Sequence, residues 1–116
     1  MLKGQRLRRS RDITAALREG RRRSNGLLVL GIRPNDLGVN RYGFSVGKRV
    51  GKAVRRNLVK RRMRNAVREL STKQGWDIVV IARQNASKAP YRVLRLALLD
   101  LLRSAGLLDT KTLAAD

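Results

Sequence analysis

The sequence contains no cysteine and no histidine. These absences exclude disulfide bonds, thiolate nucleophiles, the common zinc ligands and the usual general base near neutral pH. Aromatic residues make up only 3% of the 116 residues, so the core must consist mainly of Leu, Val, Ile and Ala. No apolar run approaches the roughly 18 residues of a membrane-spanning helix, and the first residues lack the apolar run of a signal peptide. The sequence therefore predicts an intracellular, cytoplasmic protein without a membrane partner.

Acidic residues are also scarce, with 8 Asp plus Glu against 28 Lys plus Arg and a net charge of +20. The acids are scattered, and no pair has the local spacing of a metal-binding nuclease motif. We therefore predict no catalytic residue and no metal ligand in this chain. The charge favours a polyanionic partner, while the 42% of hydrophobic residues and their regular spacing indicate a folded chain.

Hydrophobic periodicity predicts six elements in a single domain over residues 1–116. A first helix, capped by Ser10, precedes strands over 26–33 and 41–46, and a central helix starts near Val54. A strand over 76–82 and a last helix over 91–105 complete the order α-β-β-α-β-α. Residues 1–9 are predicted to form a basic arm and residues 107–116 a frayed tail.

The pairing of the strands is predicted from their connections. The turn-rich segment between the first two strands indicates an antiparallel hairpin. The uninterrupted apolar run over 76–82 indicates an interior strand that is covered on both faces. The simplest packing is an α+β two-layer sandwich, with a small sheet on one side and the helices on the other.

The central helix combines a cationic side with an apolar side. Ten of the residues between Gly47 and Glu69 are Lys or Arg, and no acid precedes Glu69 to pair with them. At 3.6 residues per turn, one side carries Asn57, Arg61, Arg64 and Arg68, with Lys60 on its flank. The opposite side carries Val59, Met63, Ala66, Val67 and Leu70. Because unpaired like charges repel, this pattern favours a nucleic-acid ligand over a merely solubilising surface.

The segment before this helix has the glycines and lysines of a phosphate-binding loop but not its spacing. Three residues separate Gly47 from Gly51 where the nucleotide-binding motif needs four, and Ala53 stands at the position of the metal-binding hydroxyl. A nucleoside triphosphate site is therefore excluded. The chain is expected to bind RNA rather than to cut it.

The same segment resembles the arginine-rich signature of the bacterial ribonuclease P protein family. The matching positions are Lys48, Arg49, Gly51, Ala53, Val54, Arg56, Asn57, Lys60, Arg61 and Arg64. The opening RLRRSRDITAALREG and the later GWDIVVIAR are similar to the family's basic start, first helix and following strand. Together these segments cover most of residues 6–103 in the expected order.

The resemblance implies a protein subunit that assists a catalytic RNA in removing the 5′ leader of precursor tRNA. Magnesium ions held by the RNA would carry out the hydrolysis, and no protein partner is implied. The fold would contain a mixed sheet in which a left-handed crossover through the central helix joins two parallel strands, against the usual preference for right-handed crossovers.

The resemblance also assigns residues to two surfaces. Contacts to the catalytic RNA would come from Lys48, Arg49, Lys52, Arg56, Asn57, Lys60, Arg61, Arg64 and Arg68. Arg55 and Arg62 lie between the two sides of the helix, and Arg6, Arg8 and Arg9 of the arm could reach RNA or form a solubilising tail. The leader cleft would include Ile13, Leu17 and Gly31, where the family commonly has aromatic residues. Alternatively, Ile13 and Leu17 could simply pack in the core.

Three other hypotheses remain open on the residues alone. A small basic ribosomal protein or a general RNA chaperone would have the same composition. A self-sufficient nuclease would need clustered acids, and a DNA-binding protein would place the central helix in a groove.

Overall fold

The structure of the protein is a computed structural model that describes residues 5–7 and 9–109. The strands are β1 (Gln5–Arg6), β2 (Arg21–Ser24), β3 (Leu28–Pro34), β4 (Arg41–Val46) and β5 (Trp76–Ala82). The helices are α1 (Ser10–Arg18), α2 (Ala53–Glu69) and α3 (Tyr91–Ser104), with short 3₁₀ turns at Lys48–Val50 and Gln84–Lys88. The predicted α+β class and the order of the main elements are confirmed.

The five strands form one mixed sheet in the order β1-β4-β5-β3-β2. β5 is central, as its apolar run predicts, and it pairs antiparallel with β3 and parallel with β4. The predicted hairpin of β3 and β4 is therefore wrong, because β5 lies between them. α2 makes the crossover from β4 to β5 that the family resemblance describes as left-handed.

The partner of β3 on its other side is β2, an edge strand that the sequence analysis did not predict. Its sequence, RRRS, has no apolar alternation, and all four residues are exposed. The turn that joins β2 to β3 contains Asn25 and Gly26, and the Asn25 side-chain oxygen accepts hydrogen bonds from the backbone N–H groups of Leu27 and Leu28. This Asn-Gly pair is a recognised hairpin signal that could have revealed the strand.

Alternate residues of the strands face two separate apolar clusters. On one face, Leu30, Ile78 and Val80 pack with α2 and α3 in the main core. On the other face, Val79 packs with Ala16 of α1 and with Leu7. Helices thus cover both faces of the sheet: the expectation that they share one side holds for α2 and α3 but not for α1.

Helix α1 can lie close to the sheet because Gly31 of β3 has no side chain on the face that meets the helix. A Cβ atom at Gly31 would lie 2.8 Å from the Cδ2 atom of Leu17, and one at Gly20, just after the helix, would clash with the carbonyl oxygen of Ile32. The predicted cap is also corrected, because Ser10 is the first helical residue and Arg9 occupies the capping position without a side-chain hydrogen bond. α1 is therefore held by packing rather than by its amino-terminal cap.

The carboxyl-terminal segment continues past α3. Gly106, with φ of 76°, reverses the chain after the helix. Leu107 and Leu108 are then buried in the main core, and Leu108 forms a β-bridge with Thr72. The predicted frayed tail is thus wrong for residues 107–109, because their leucines fill the core; residues 110–116 lie outside the described residues. In the described part of the chain, no helix has both the length and the apolarity needed to cross a membrane.

Candidate nucleic-acid interface

The apolar side of α2 anchors the helix on the sheet. Its five predicted core residues are all buried, namely Val59, Met63, Ala66, Val67 and Leu70. The sole acid of the helix, Glu69, accepts hydrogen bonds from the hydroxyl of Tyr91 at 2.6 Å and from Nε of Arg95 at 3.0 Å. The pKa of Tyr91 is raised to about 12, mainly because the hydroxyl is buried and also because it donates a hydrogen bond to Glu69. Glu69 is therefore engaged with α3 and does not neutralise the opposite side of α2.

The predicted cationic side of α2 is turned outward. Asn57, Arg61 and Arg68 are exposed, and Lys60 and Arg64 are half-buried. Within the described residues, none of these four cations takes part in an ion pair. We call this set the α2 stripe. Its positive charges are free to meet an external anion.

Residues on the flanks of the α2 stripe have different surroundings. Arg62 turns away and donates a hydrogen bond to the carbonyl oxygen of Ala89 at 2.8 Å. The Nε atom of Arg56 is buried and has no hydrogen-bond partner among the described residues. The side chain of Arg55 is exposed and would lie 3.0 Å from a Cβ atom at Gly51, whose φ is 150°. Arg62 is therefore a structural residue, while Arg55 and Arg56 stay beside the loop that precedes α2.

That loop carries three further predicted residues at the amino end of α2. Val50 is buried and fixes the loop on the core, while Lys48, Arg49 and Lys52 are exposed. The first turn of α2 has no acid and no side-chain cap, so the helix dipole adds to the positive potential there. A cavity of about 570 Å³ lies beside the loop, where the parallel strands β4 and β5 end. The loop and the first turn of α2 therefore present positive charge beside this cavity.

A second basic region lies at the far edge of the sheet. A cavity of about 270 Å³ there is lined by Arg22 and Arg23 of β2 and by Arg83 after β5. Arg83 also lines the cavity beside Lys48 and Arg49. No apolar pattern marks β2, so Arg22 and Arg23 could not be placed from the sequence. The neighbouring Arg21 is structural, since it donates a hydrogen bond to the carbonyl oxygen of Ala105 and lies over the ring of Trp76.

The three residues of the predicted leader cleft meet where α1 crosses the sheet. Leu17 lies against Gly31, and Ile13 is close enough to contact a Cβ atom at Gly43. Ile13 and Leu17 are only partly buried, and both pack against the small cluster around Val79. The structure therefore brings the three residues together, and it gives Ile13 and Leu17 a packing role in addition to an accessible surface.

A buried ion pair fixes α1 and β4 relative to β5. Nε and Nη2 of Arg41 each donate a hydrogen bond of 2.7 Å to the carboxylate of Asp77, which is 3% exposed. Asp12 of α1 lies 3.7 Å from the same guanidinium. The hydrogen bond to Asp77 raises the pKa of Arg41. The described residues contain no group of three or more acids that could hold a metal ion.

Comparisons with known proteins agree in both sequence and structure. A family model described as Ribonuclease P matches residues 1–106. The chain is 39% identical over 109 residues to the ribonuclease P protein component of Clostridium botulinum strain Loch Maree, covering 91% of this chain and 98% of the relative. It is 40% identical over 112 residues to that of Symbiobacterium thermophilum, covering 94% of this chain and 97% of the relative.

Solved structures give the same result for the fold. The RNase P protein of Staphylococcus aureus superposes with a TM-score of 0.82 and 29% identity, covering 92% of this chain and all of that structure (100%). The RNase P protein of Thermotoga maritima superposes with a TM-score of 0.76 and 34% identity, covering 85% of this chain and 96% of that structure. The similarity therefore extends over nearly the whole length of each protein.

Proposed function

The chain belongs to the ribonuclease P protein family, and on that premise we propose that its α2 stripe binds the backbone of the catalytic RNA of ribonuclease P. As a protein component of this endoribonuclease, the chain is a subunit of a ribonucleoprotein that processes tRNA. Catalysis comes from the RNA, and the chain supplies binding and charge neutralisation.

The observation that carries the proposal is the free charge of the α2 stripe. Arg61, Arg64 and Arg68 leave the same side of one helix, and no described acid pairs with them. Arginine holds phosphate oxygens through charge-assisted and often bidentate hydrogen bonds. Asn57 and Lys60 add donors on the same surface. An RNA backbone would relieve the repulsion that the helix otherwise carries.

The loop before α2 extends this surface. Lys48, Arg49 and Lys52 are exposed, and Arg56 places a guanidinium whose buried Nε lacks a partner at the start of the helix. The positive end of the α2 dipole attracts phosphate at the same point. We therefore include all four residues in the contact to the catalytic RNA.

We further propose that the 5′ leader of precursor tRNA lies on the α1 face of the sheet. Ile13 and Leu17 give an apolar surface beside Gly31 but no aromatic ring on which a base could stack. Arg83, which joins the two cavities at the end of β5, supplies positive charge next to this surface. The leader would then be held by phosphate contacts and van der Waals packing.

Magnesium ions are expected to bind through the RNA. The whole chain has eight acidic residues, and of those described, Asp12, Glu19, Glu69 and Asp77 are paired with arginines. Cleavage would take place in the cytoplasm, with the metal ions held mainly by RNA phosphates.

The proposal is tested by adding the purified chain to its catalytic RNA at a magnesium concentration where the RNA alone is slow. We expect at least a tenfold acceleration of cleavage at the mature tRNA 5′ end, because the cations replace part of the magnesium requirement. The chain without RNA should leave precursor tRNA intact.

Two outcomes would contradict the proposal. Cleavage that does not respond to the chain would remove the subunit role, and cutting by the chain alone would place catalysis in the protein. An unrelated basic protein of similar charge is the control, since equal acceleration by that protein would indicate a general RNA chaperone instead.

A further inference from the structure

A groove of about 310 Å³ separates α2 from the edge strand β1. Arg6 lines one side of the groove, Lys60 and Arg64 line the other, and Phe44 of β4 lies between them. The volume is at the lower end of the roughly 300–1,000 Å³ found for small-ligand sites and suits a single nucleotide. None of the sequence patterns that define the α2 stripe includes Arg6 or Phe44.

The groove is strongly cationic. Arg6, Lys60 and Arg64 converge on it, and no described residue that lines it is acidic. Lys60 and Arg64 are one helical turn apart, a spacing at which like charges repel. A phosphate bound between the two walls would relieve this repulsion, so the groove favours an anionic ligand.

The groove also has an aromatic floor. The Cζ atom of Arg64 lies 5.9 Å from the centre of the Phe44 ring, which is within the range of a cation–π interaction. Arg64 is only half-buried, and its guanidinium remains accessible from the groove. Guanidinium planes of this kind are stacking surfaces for unpaired bases in RNA recognition.

The position of Arg6 is fixed by β1. Arg6 lies opposite Tyr42 in the parallel pairing of β1 with β4, and the backbone N–H of Leu7 donates a hydrogen bond to the carbonyl oxygen of Tyr42 at 2.8 Å. Leu7 is buried on the α1 face, so Arg6 is directed to the α2 face. Part of the predicted basic arm therefore forms an ordered wall of the groove.

We propose that this groove binds one unpaired nucleotide of the RNA partner, with the base stacked on the Arg64 guanidinium above Phe44 and the phosphate held by Arg6 and Lys60. The identity of that RNA rests on the proposed function, whereas the groove itself can be tested without it.

The test is a titration of the full chain with AMP and, separately, with ribose 5-phosphate, followed by the backbone amide NMR signals of residues 6–7, 42–44 and 60–64. We expect AMP to bind at this groove at least fivefold more tightly than ribose 5-phosphate, because only AMP has a base to stack. Phe44→Leu should reduce that advantage to less than twofold, and Phe44→Tyr should retain it. Arg6→Ala should weaken both ligands about equally.

The matched control is Arg92→Ala, which removes one exposed charge from α3 and should change neither affinity. Equal binding of the two ligands, or shifts that occur mainly outside the groove, would overturn the proposal. The assay contains no RNA, so its outcome is independent of the cleavage assay above. Preferential AMP binding without stimulation of cleavage would remove the proposed function and leave the nucleotide groove in place.

Discussion

The Arg61→Ala, Arg64→Ala double variant is expected to bind the catalytic RNA about 30- to 100-fold more weakly than the unaltered chain, equivalent to ~2–3 kcal/mol. Both guanidinium groups leave the outward side of α2 and have no described acid partner, so their full charge is available to phosphates. Arg64 also loses its contact with Phe44, which supports the guanidinium in the unaltered chain. Fluorescence or filter-binding titrations measure the change.

The salt dependence separates a phosphate contact from a general loss of charge. Each phosphate contact contributes about one unit to the slope of log affinity against log salt, so the double variant should have a slope shallower by about two units. The matched control is Arg92→Ala with Arg103→Ala, which removes two exposed charges from α3. If the control and the double variant had the same slope, RNA would not contact the α2 stripe. Circular dichroism should be unchanged in both, because none of the four side chains is in the core.

The α2 stripe could be predicted from the sequence because helical periodicity is a local property. Every residue that the 3.6-residue repeat assigns to the inner side, from Val59 to Leu70, is buried, and the outward side remains accessible. The bounds of β4 and β5 also agree with the predicted ranges, since each has its own apolar pattern. The buried side of a helix or strand can therefore be predicted without knowing which neighbouring element covers it.

The pairing of the strands could not be predicted from the sequence in the same way. The connection between β3 and β4 is short and turn-rich, which favours a hairpin. However, β5, which follows later in the sequence, lies between these two strands and pairs with both. The continuous apolar run of β5 already indicated an interior strand, and an interior strand in a small sheet needs a partner on each side. A consistent use of that signal would have separated β3 from β4.

The set of site residues predicted from the sequence was incomplete for a related reason. β1 and β2 have almost no apolar residues, and their positions are determined by hydrogen bonds to β4 and β3. Arg6 and Arg22 reach their grooves only because these edge pairings exist. Basic residues in a sequence can therefore be counted, but the surfaces on which they meet depend on the sheet order.

The largest effect on stability is expected from Asp77→Asn, which should lower the free energy of unfolding by about 3 kcal/mol. The substitution keeps the volume and the shape of the side chain, so the loss comes from the charge that faces Arg41. In the unaltered chain, the carboxylate accepts two hydrogen bonds of 2.7 Å from Arg41 and one of 3.1 Å from Asn35. Without the carboxylate, a guanidinium stays in a partly buried position with only Asp12, at 3.7 Å, as its counter-ion. Urea unfolding curves measure the loss.

A double-mutant cycle with Arg41→Met isolates the pair. Arg41→Met removes the cation and leaves the Asp77 carboxylate buried, so it should also destabilise the fold. The double variant removes both charges of the Arg41–Asp77 pair and should be more stable than the sum of the single variants predicts, with a coupling energy of about 2 kcal/mol. A coupling energy near zero would mean that the two side chains act independently and that packing alone holds the strands. Because Arg41 also contacts Asp12, Arg41→Met should loosen α1, and hydrogen exchange of the α1 amides should increase more in this variant than in Asp77→Asn, which keeps the contact between Arg41 and Asp12.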